Sequence, residues 1–217
     1  MLSQKVDMFV TKLKLYMESI AHKMEKRIKG CGRGKIFFAD DFLDFGSSDA
    51  IRQTLLRLTK SGVIIRVAQG IYCYPEIDET LGLGVIYPTD IQIAEALAER
   101  SHSKIVPTGD YALNVLGLST QVPLNSVFLT NGKSRRISVS GNRSITFKNT
   151  APRNLAFTNR LAMLVNSALK SIKNVNVTTK QTDHIYYLLR QEKKEDVLVD
   201  LKLMPVWIRK IVQNAYE

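Results

Sequence analysis

The sequence has 217 residues, 45% of them hydrophobic, and its 31 Lys and Arg against 20 Asp and Glu give a net charge of +11 and a pI near 9.7. A soluble chain of this size can bury a sizeable core in one or two domains, and its basic balance draws it towards polyanions such as nucleic acid. No run approaches the roughly 18 apolar residues of a membrane span, Met1 to Tyr16 is too charged for a signal peptide, and two cysteines, Cys31 and Cys73, support neither a disulfide framework nor a four-ligand zinc site, so a cytoplasmic protein with no cofactor and no membrane partner is expected.

Residues 3–29 read as one or two helices, because Met17, Ile20, Ala21, Met24 and Ile28 recur at three- and four-residue steps until Gly30, Gly32 and Gly34 interrupt them. A short strand is expected over Lys35 to Ala39, then two helical turns over Asp40 to Phe45 with Asp40 as the N-cap. After Gly46, Ser47 or Ser48 can cap a helix whose apolar stripe is Ile51, Leu55 and Leu58 and which stops at Gly62. At about 100° per residue, Asp49, Gln53 and Lys60 point away from that stripe, flanked by Arg52 and Arg57. Val63 to Val67 and Ile71 to Tyr74 are strand-like runs joined through Ala68-Gln69-Gly70, which reads as a hairpin with Arg66 and Gln69 near its tip.

Pro75 and the acidic, Gly-containing stretch after it read as a linker, residues 76–88. Helices are expected from Thr89 to about Arg100 and over Asp110 to Leu116, with Thr108-Gly109-Asp110 suited to capping the second. Ser126 to Thr130, Arg136 to Ser140 and Ser144 to Lys148 read as strands of a small antiparallel sheet, with Asn131-Gly132 and Gly141-Asn142 as its turns. Helical periodicity returns over Asn159 to Ile172, Thr179 to Arg190, Lys193 to Leu201 and Pro205 to Tyr216. The expected fold class is α+β: a winged helix-turn-helix over residues 1–75 with an N-terminal helical extension, then an α+β interaction domain over 89–217 with a small antiparallel sheet and a C-terminal helical bundle.

In a helix-turn-helix the second helix enters the DNA major groove, where each base pair displays its own donor and acceptor pattern. On helix 47–61, Gln53 can pair with adenine and Arg52 or Arg57 with guanine, while Lys60 and the Ser47, Ser48 and Asp49 end suit phosphate contact and positioning. Arg66 and Gln69 can reach the backbone or the adjacent minor groove. The alternative is an ordinary amphipathic helix with a solvated charged face.

The stretches Ser47 to Leu58 (SSDAIRQTLLRL) and Gly62 to Tyr72 (GVIIRVAQGIY) resemble the winged helix of AbiE-type abortive-infection antitoxins, and Ile105 to Pro123 (IVPTGDYALNVLGLSTQVP), with Ser126 to Thr130 and Arg153 to Leu155, is similar to the C-terminal half of a related branch. The resemblance spans about residues 15–215; Met1 to Tyr16 is an extra segment ahead of it. It implies a two-gene toxin–antitoxin operon whose antitoxin represses its own promoter at inverted repeats, with two copies on double-stranded DNA, and neutralises a nucleotidyltransferase-like toxin through its C-terminal domain.

An enzyme is not expected. Gly46-Ser47 superficially matches the start of a nucleotidyltransferase site, but no pair of carboxylates one residue apart follows to hold two cations. His22, His102 and His184 are scattered and read as surface or locally bonded histidines. No Asp or Glu occurs over residues 111–182, where Lys133, Arg135, Arg136, Arg143, Lys148 and Arg153 fall on or beside the expected strands. Three readings stay open for them: a surface for an acidic partner protein, a surface for RNA or DNA, or protection of strand edges. A plain winged-helix regulator, whose second domain senses a ligand or dimerises, is the competing function.

Overall fold

Ser19 starts the first helix described in the computed structural model, which covers residues 19–217; its hydroxyl accepts from the His22 amide at 3.2 Å and caps α1, Ile20–Gly30. Met17, the rest of the helix expected from residue 3, and the segment Met1 to Tyr16 lie outside the described residues. The chain divides into a first unit ending at Thr89 and a second, Asp90–Glu217.

In the first unit α1 buries Met24 and Ile28 against Phe37, Phe42, Ile51, Leu55, Leu58 and Ile64. Strand β1 is Ile36–Phe38. The two helical turns expected next are a single 3-10 turn, Ala39–Phe42, and Asp40 is not its cap; the Asp41 carboxylate accepts from the Phe38 amide at 2.7 Å. Phe42 sets this outcome, because the short turn drops its ring into the core edge-on to Phe37, 5.5 Å between centroids. Helix α2, Ser48–Lys60, follows, then β2, Ile65–Ala68, and β3, Ile71–Cys73. The strands lie in the order β1-β3-β2, both pairs antiparallel, with Ile36 and Ile65 each opposite Cys73.

The stretch expected to be a linker carries its own ladder, β4 (Glu76–Asp78) against β5 (Gly84–Ile86). Asp78 Oδ1 accepts from the amides of Thr80 and Leu81, turning the chain, so the carboxylate that reads as linker composition acts as a turn residue.

Burial separates the two thiols. Cys31 is exposed, whereas Cys73 is buried and its pKa is pushed up to about 11 by that burial and by Glu76. A thiol reagent at pH 8 is expected to modify one cysteine of the native chain quickly and the other only after unfolding; two fast thiols would contradict this packing of β3.

In the second unit α3 (Asp90–Arg100) leads to β6 (Ile105–Thr108) and α4 (Gly109–Val115), then β7 (Asn125–Thr130), β8 (Arg135–Val139) and β9 (Arg143–Asn149). The sheet is mixed rather than antiparallel. β9 lies between its two predecessors, parallel to β7 and antiparallel to β8, while β6 borders β7. Asn131-Gly132 is therefore not a hairpin turn but part of a loop crossing the end of β9, where Asn149 donates its side-chain Nδ2 to the Gly132 carbonyl and its main-chain N–H to the Ser134 hydroxyl oxygen, both at 2.9 Å. Phe128, Ile145 and Phe147 fill one face of the sheet.

Helices α5 (Arg160–Ile172), α6 (Thr179–Leu189), α7 (Lys194–Leu198) and α8 (Val206–Asn214) share a second core, built on Val165, Leu169, Ile185, Leu189, Ile208 and Val212. The fold is α+β. Asp200, buried in a 3-10 turn, takes hydrogen bonds from the Thr158 amide and hydroxyl and the Asn159 amide, fixing the entry to α5. Asp200→Ala strands those donors, and a loss of about 3 kcal/mol is expected in a denaturant melt; an unchanged midpoint would show that the entry is held some other way. No helix among the described residues is long and apolar enough to cross a membrane.

Candidate nucleic-acid interface

Helix α2 owes its orientation to a cap at one end and a buried stripe along its length. The Ser47 hydroxyl accepts from the Ala50 amide at 3.4 Å, and Ile51, Thr54, Leu55 and Leu58 face the core. At the far end Gly62, at φ +74°, lets the Val63 amide reach the Leu58 carbonyl at 3.0 Å. The opposite side presents Ser48, Asp49, Arg52, Gln53, Arg57 and Lys60, all exposed.

These side chains are lightly tethered. Arg52 Nη1 lies 3.6 Å from Asp49 Oδ1 with both groups largely in solvent, an arrangement worth at most about 1 kcal/mol. Arg57 Nε donates to the Gln53 carbonyl at 3.3 Å and leaves the Gln53 amide group uninvolved in that bond. Leu56, 47% exposed, sits in the same row one turn from both Arg52 and Lys60. The four-residue spacing places it there, but attention to charge alone passes over it.

The hairpin pairs Arg66 with Tyr72 and Ala68 with Ile71, with an irregularity between Arg66 and Ala68. Gly70 supplies the left-handed residue of the turn at φ +72°, and both Arg66 and Gln69 are exposed. Sequence reasoning also missed a shallow groove of about 480 Å³ lined by Lys23, Lys26, Arg27 and Phe45. Arg27 is committed there: both terminal nitrogens bind the Asp44 carboxylate, at 3.0 and 2.6 Å, and the guanidinium lies 4.0 Å from the Phe45 ring centre. That hydrogen-bonded pairing raises the pKa of Arg27 and lowers that of Asp44.

The basic residues of the second unit do not converge on one surface. Register places Arg135 and Arg143 on the face of Phe147 and Ile145, and Arg136 and Lys148 on the other. Arg135 stacks on the Phe147 ring at 5.2 Å. Arg143 Nη1 contacts Asp90 Oδ1 at 2.9 Å, and the buried Asp90 also accepts from Ser126 Oγ at 2.5 Å, so Arg143 is a structural ion pair and not part of an open basic surface. Arg136 donates to Ser144 Oγ and Asn125 Oδ1, both at 3.1 Å. Arg153 donates to the Lys202 carbonyl at 2.9 Å, while Lys133 and Lys148 are exposed.

His184 is locally bonded, its Nε2 lying 2.8 Å from the Leu116 carbonyl. Thr108 occupies the N-cap position of α4, as expected, but its side chain makes no capping bond; as the last residue of β6 it lines, with Gly109, a cavity of about 310 Å³ between that strand and α5. Among the described residues no cluster of three or more His, Cys, Asp or Glu is placed to hold a metal ion.

A family model described as "Family of unknown function (DUF6088)" matches residues 23–197. No curated protein matches the chain significantly. The crystal structure of the RV2827C protein from Mycobacterium tuberculosis is similar at a TM-score of 0.48 and 13% identity, over 90% of this chain and 75% of that one.

Proposed function

The chain belongs to the DUF6088 family, a family of unknown function, and from its own residues we propose that it is a DNA-binding autorepressor and antitoxin without catalytic activity. The observation that carries the DNA-binding half is the exposed row on α2 opposite a fully buried stripe. Around it the order helix, strand, short turn, helix and two strands, with the ladder β1-β3-β2, supports a winged helix-turn-helix in which α2 reads the major groove and the β2–β3 turn is the wing.

In this reading Gln53, Arg52 and Arg57 meet base edges, Leu56 meets a thymine methyl, and Ser47, Ser48 and Lys60 meet phosphates, with Asp49 positioning Arg52. Arg66 and Gln69 touch the flanking backbone or minor groove. One such element covers a half-site, so two copies occupy inverted repeats in the promoter. The antitoxin half rests on the resemblance of Ile105 to Pro123, and assigns the second unit to a nucleotidyltransferase-like toxin, by contact or by competition for its RNA. A regulator whose second unit senses a ligand is the competing reading, favoured by the cavity beside Thr108.

Two measurements decide between them. The full chain is expected to retard the DNA upstream of its own gene, with affinity falling steeply as salt rises. Co-expression is expected to relieve the toxicity of a nucleotidyltransferase-like protein encoded next to it. Retardation without such a neighbour leaves the plain regulator; failure of both rejects the proposal.

A further inference from the structure

Helix α5 buries polar side chains on a face that packing alone would fill with Ala or Leu. Asn166 and Ser167 are 4% and 8% exposed, and both line the 310 Å³ cavity between α5 and strands β6 and β7. Asn166 Oδ1 has no hydrogen-bond partner, a costly arrangement in an interior that normally satisfies its polar atoms. One turn on, Lys170 and Ser171 carry the polar row to the cavity mouth.

On the strand side Val106 and Leu129 give an apolar patch beside Thr108, and Asn154 also lines the cavity. Gly109, at φ +62° with open space where a side chain would begin, leaves the main chain accessible at the end of β6. No lining residue is acidic. Partial burial, and after it the neighbouring charge of Arg153, holds the Lys170 amine below its ordinary pKa, which places a second cation near the mouth.

A cavity with a cation at its mouth, a buried carboxamide whose oxygen lacks a partner and an apolar patch between is complementary to a flat ring that carries a donor–acceptor edge and an anionic group. Carboxamides recognise such edges through paired donor and acceptor contacts, and the volume falls at the small end of ligand pockets. We propose that this cavity binds a nucleoside monophosphate: the phosphate at Lys170, the base against Val106 and Leu129, and its polar edge on Asn166. The assignment stands on the second unit alone and does not depend on the DNA-binding reading.

The test is calorimetric titration of the full chain with the four ribonucleoside 5′-monophosphates, with inorganic phosphate and the free nucleosides as separate arms. At least one monophosphate is expected to saturate the protein with a Kd below about 1 mM, and phosphate or nucleoside alone to bind about tenfold more weakly or less. Lys170→Met, at the exposed mouth, is expected to weaken binding about tenfold without changing the melting temperature. Asn166→Leu is expected to weaken it while melting no lower than the parent. No saturable binding up to about 5 mM, binding untouched by both substitutions, or inorganic phosphate binding as well as any nucleotide would each overturn the proposal.

Discussion

Simultaneous replacement of Arg52, Gln53 and Arg57 by alanine is expected to remove sequence-selective DNA binding while leaving the first unit folded. Each side chain that pairs with a base edge contributes about 1–3 kcal/mol of discrimination, so the triple variant should bind the upstream DNA no better than unrelated DNA. None of the three is buried, and their only described tethers are the solvent-exposed Arg52–Asp49 contact and the Arg57 bond to a main-chain carbonyl; a thermal melt should therefore barely move. Lys60→Ala should weaken all sequences alike, since a phosphate contact carries no base information. Leu56→Ala should relax preference at a single thymine. Unchanged operator affinity in the triple variant would remove α2 from the reading role.

Asp90→Ala is expected to destabilise the second unit by about 3–5 kcal/mol, the range for stripping one partner from a buried pair. The carboxylate is 4% exposed and holds both Arg143, at 2.9 Å, and the Ser126 hydroxyl. Without it, a guanidinium and a hydroxyl face a cavity with no acceptor. Arg143→Ala should also be costly, because it leaves Asp90 charged and enclosed, and the double variant should lose less than the sum of the two, the excess measuring their coupling. The comparison with Arg136→Ala is informative: that side chain is exposed and its partners are neutral, so its loss should be mild. If Arg143→Ala instead left stability intact and lowered nucleic-acid affinity, the basic-surface reading of the sequence would be restored.

The first unit was legible because its signals are local. The Ile51, Leu55 and Leu58 stripe, the Ser47 cap and the Gly62 and Gly70 breaks all act within a few residues, and α2 and the hairpin lie where they predict. The Asp40 cap failed because the burial of Phe42, a tertiary demand, shortens the turn that local propensity would lengthen. Among the candidate surface residues, exposure of the α2 set follows from its helical phase. The second set is divided by partners outside the stretch that suggested it: a run without acids looks uncompensated, yet Asp90 neutralises Arg143 across 53 residues, and strand alternation sends Arg135 and Arg136 to opposite faces. The polar floor of the α5 cavity is likewise invisible to periodicity, since Asn166 and Ser167 read as solvent-facing until β6 is laid against them.

The position of β9 also governs how this sheet can be made. Strands β7 and β8 emerge before β9, separated by a four-residue loop, but the native sheet needs them held two strand spacings apart, about 9.5 Å, until β9 arrives to fill the slot. A nascent chain that has reached only Val139 holds two β-rich segments whose easiest pairing, with each other, is the wrong one. The hairpin of β8 and β9 is the shortest-range route past that trap, because it consumes the inner edge of β8 before β7 can take it. Substitutions at Gly141 and Asn142, whose positive φ angles shape that turn, should therefore act on the yield of soluble protein during synthesis more than on the stability of molecules already folded.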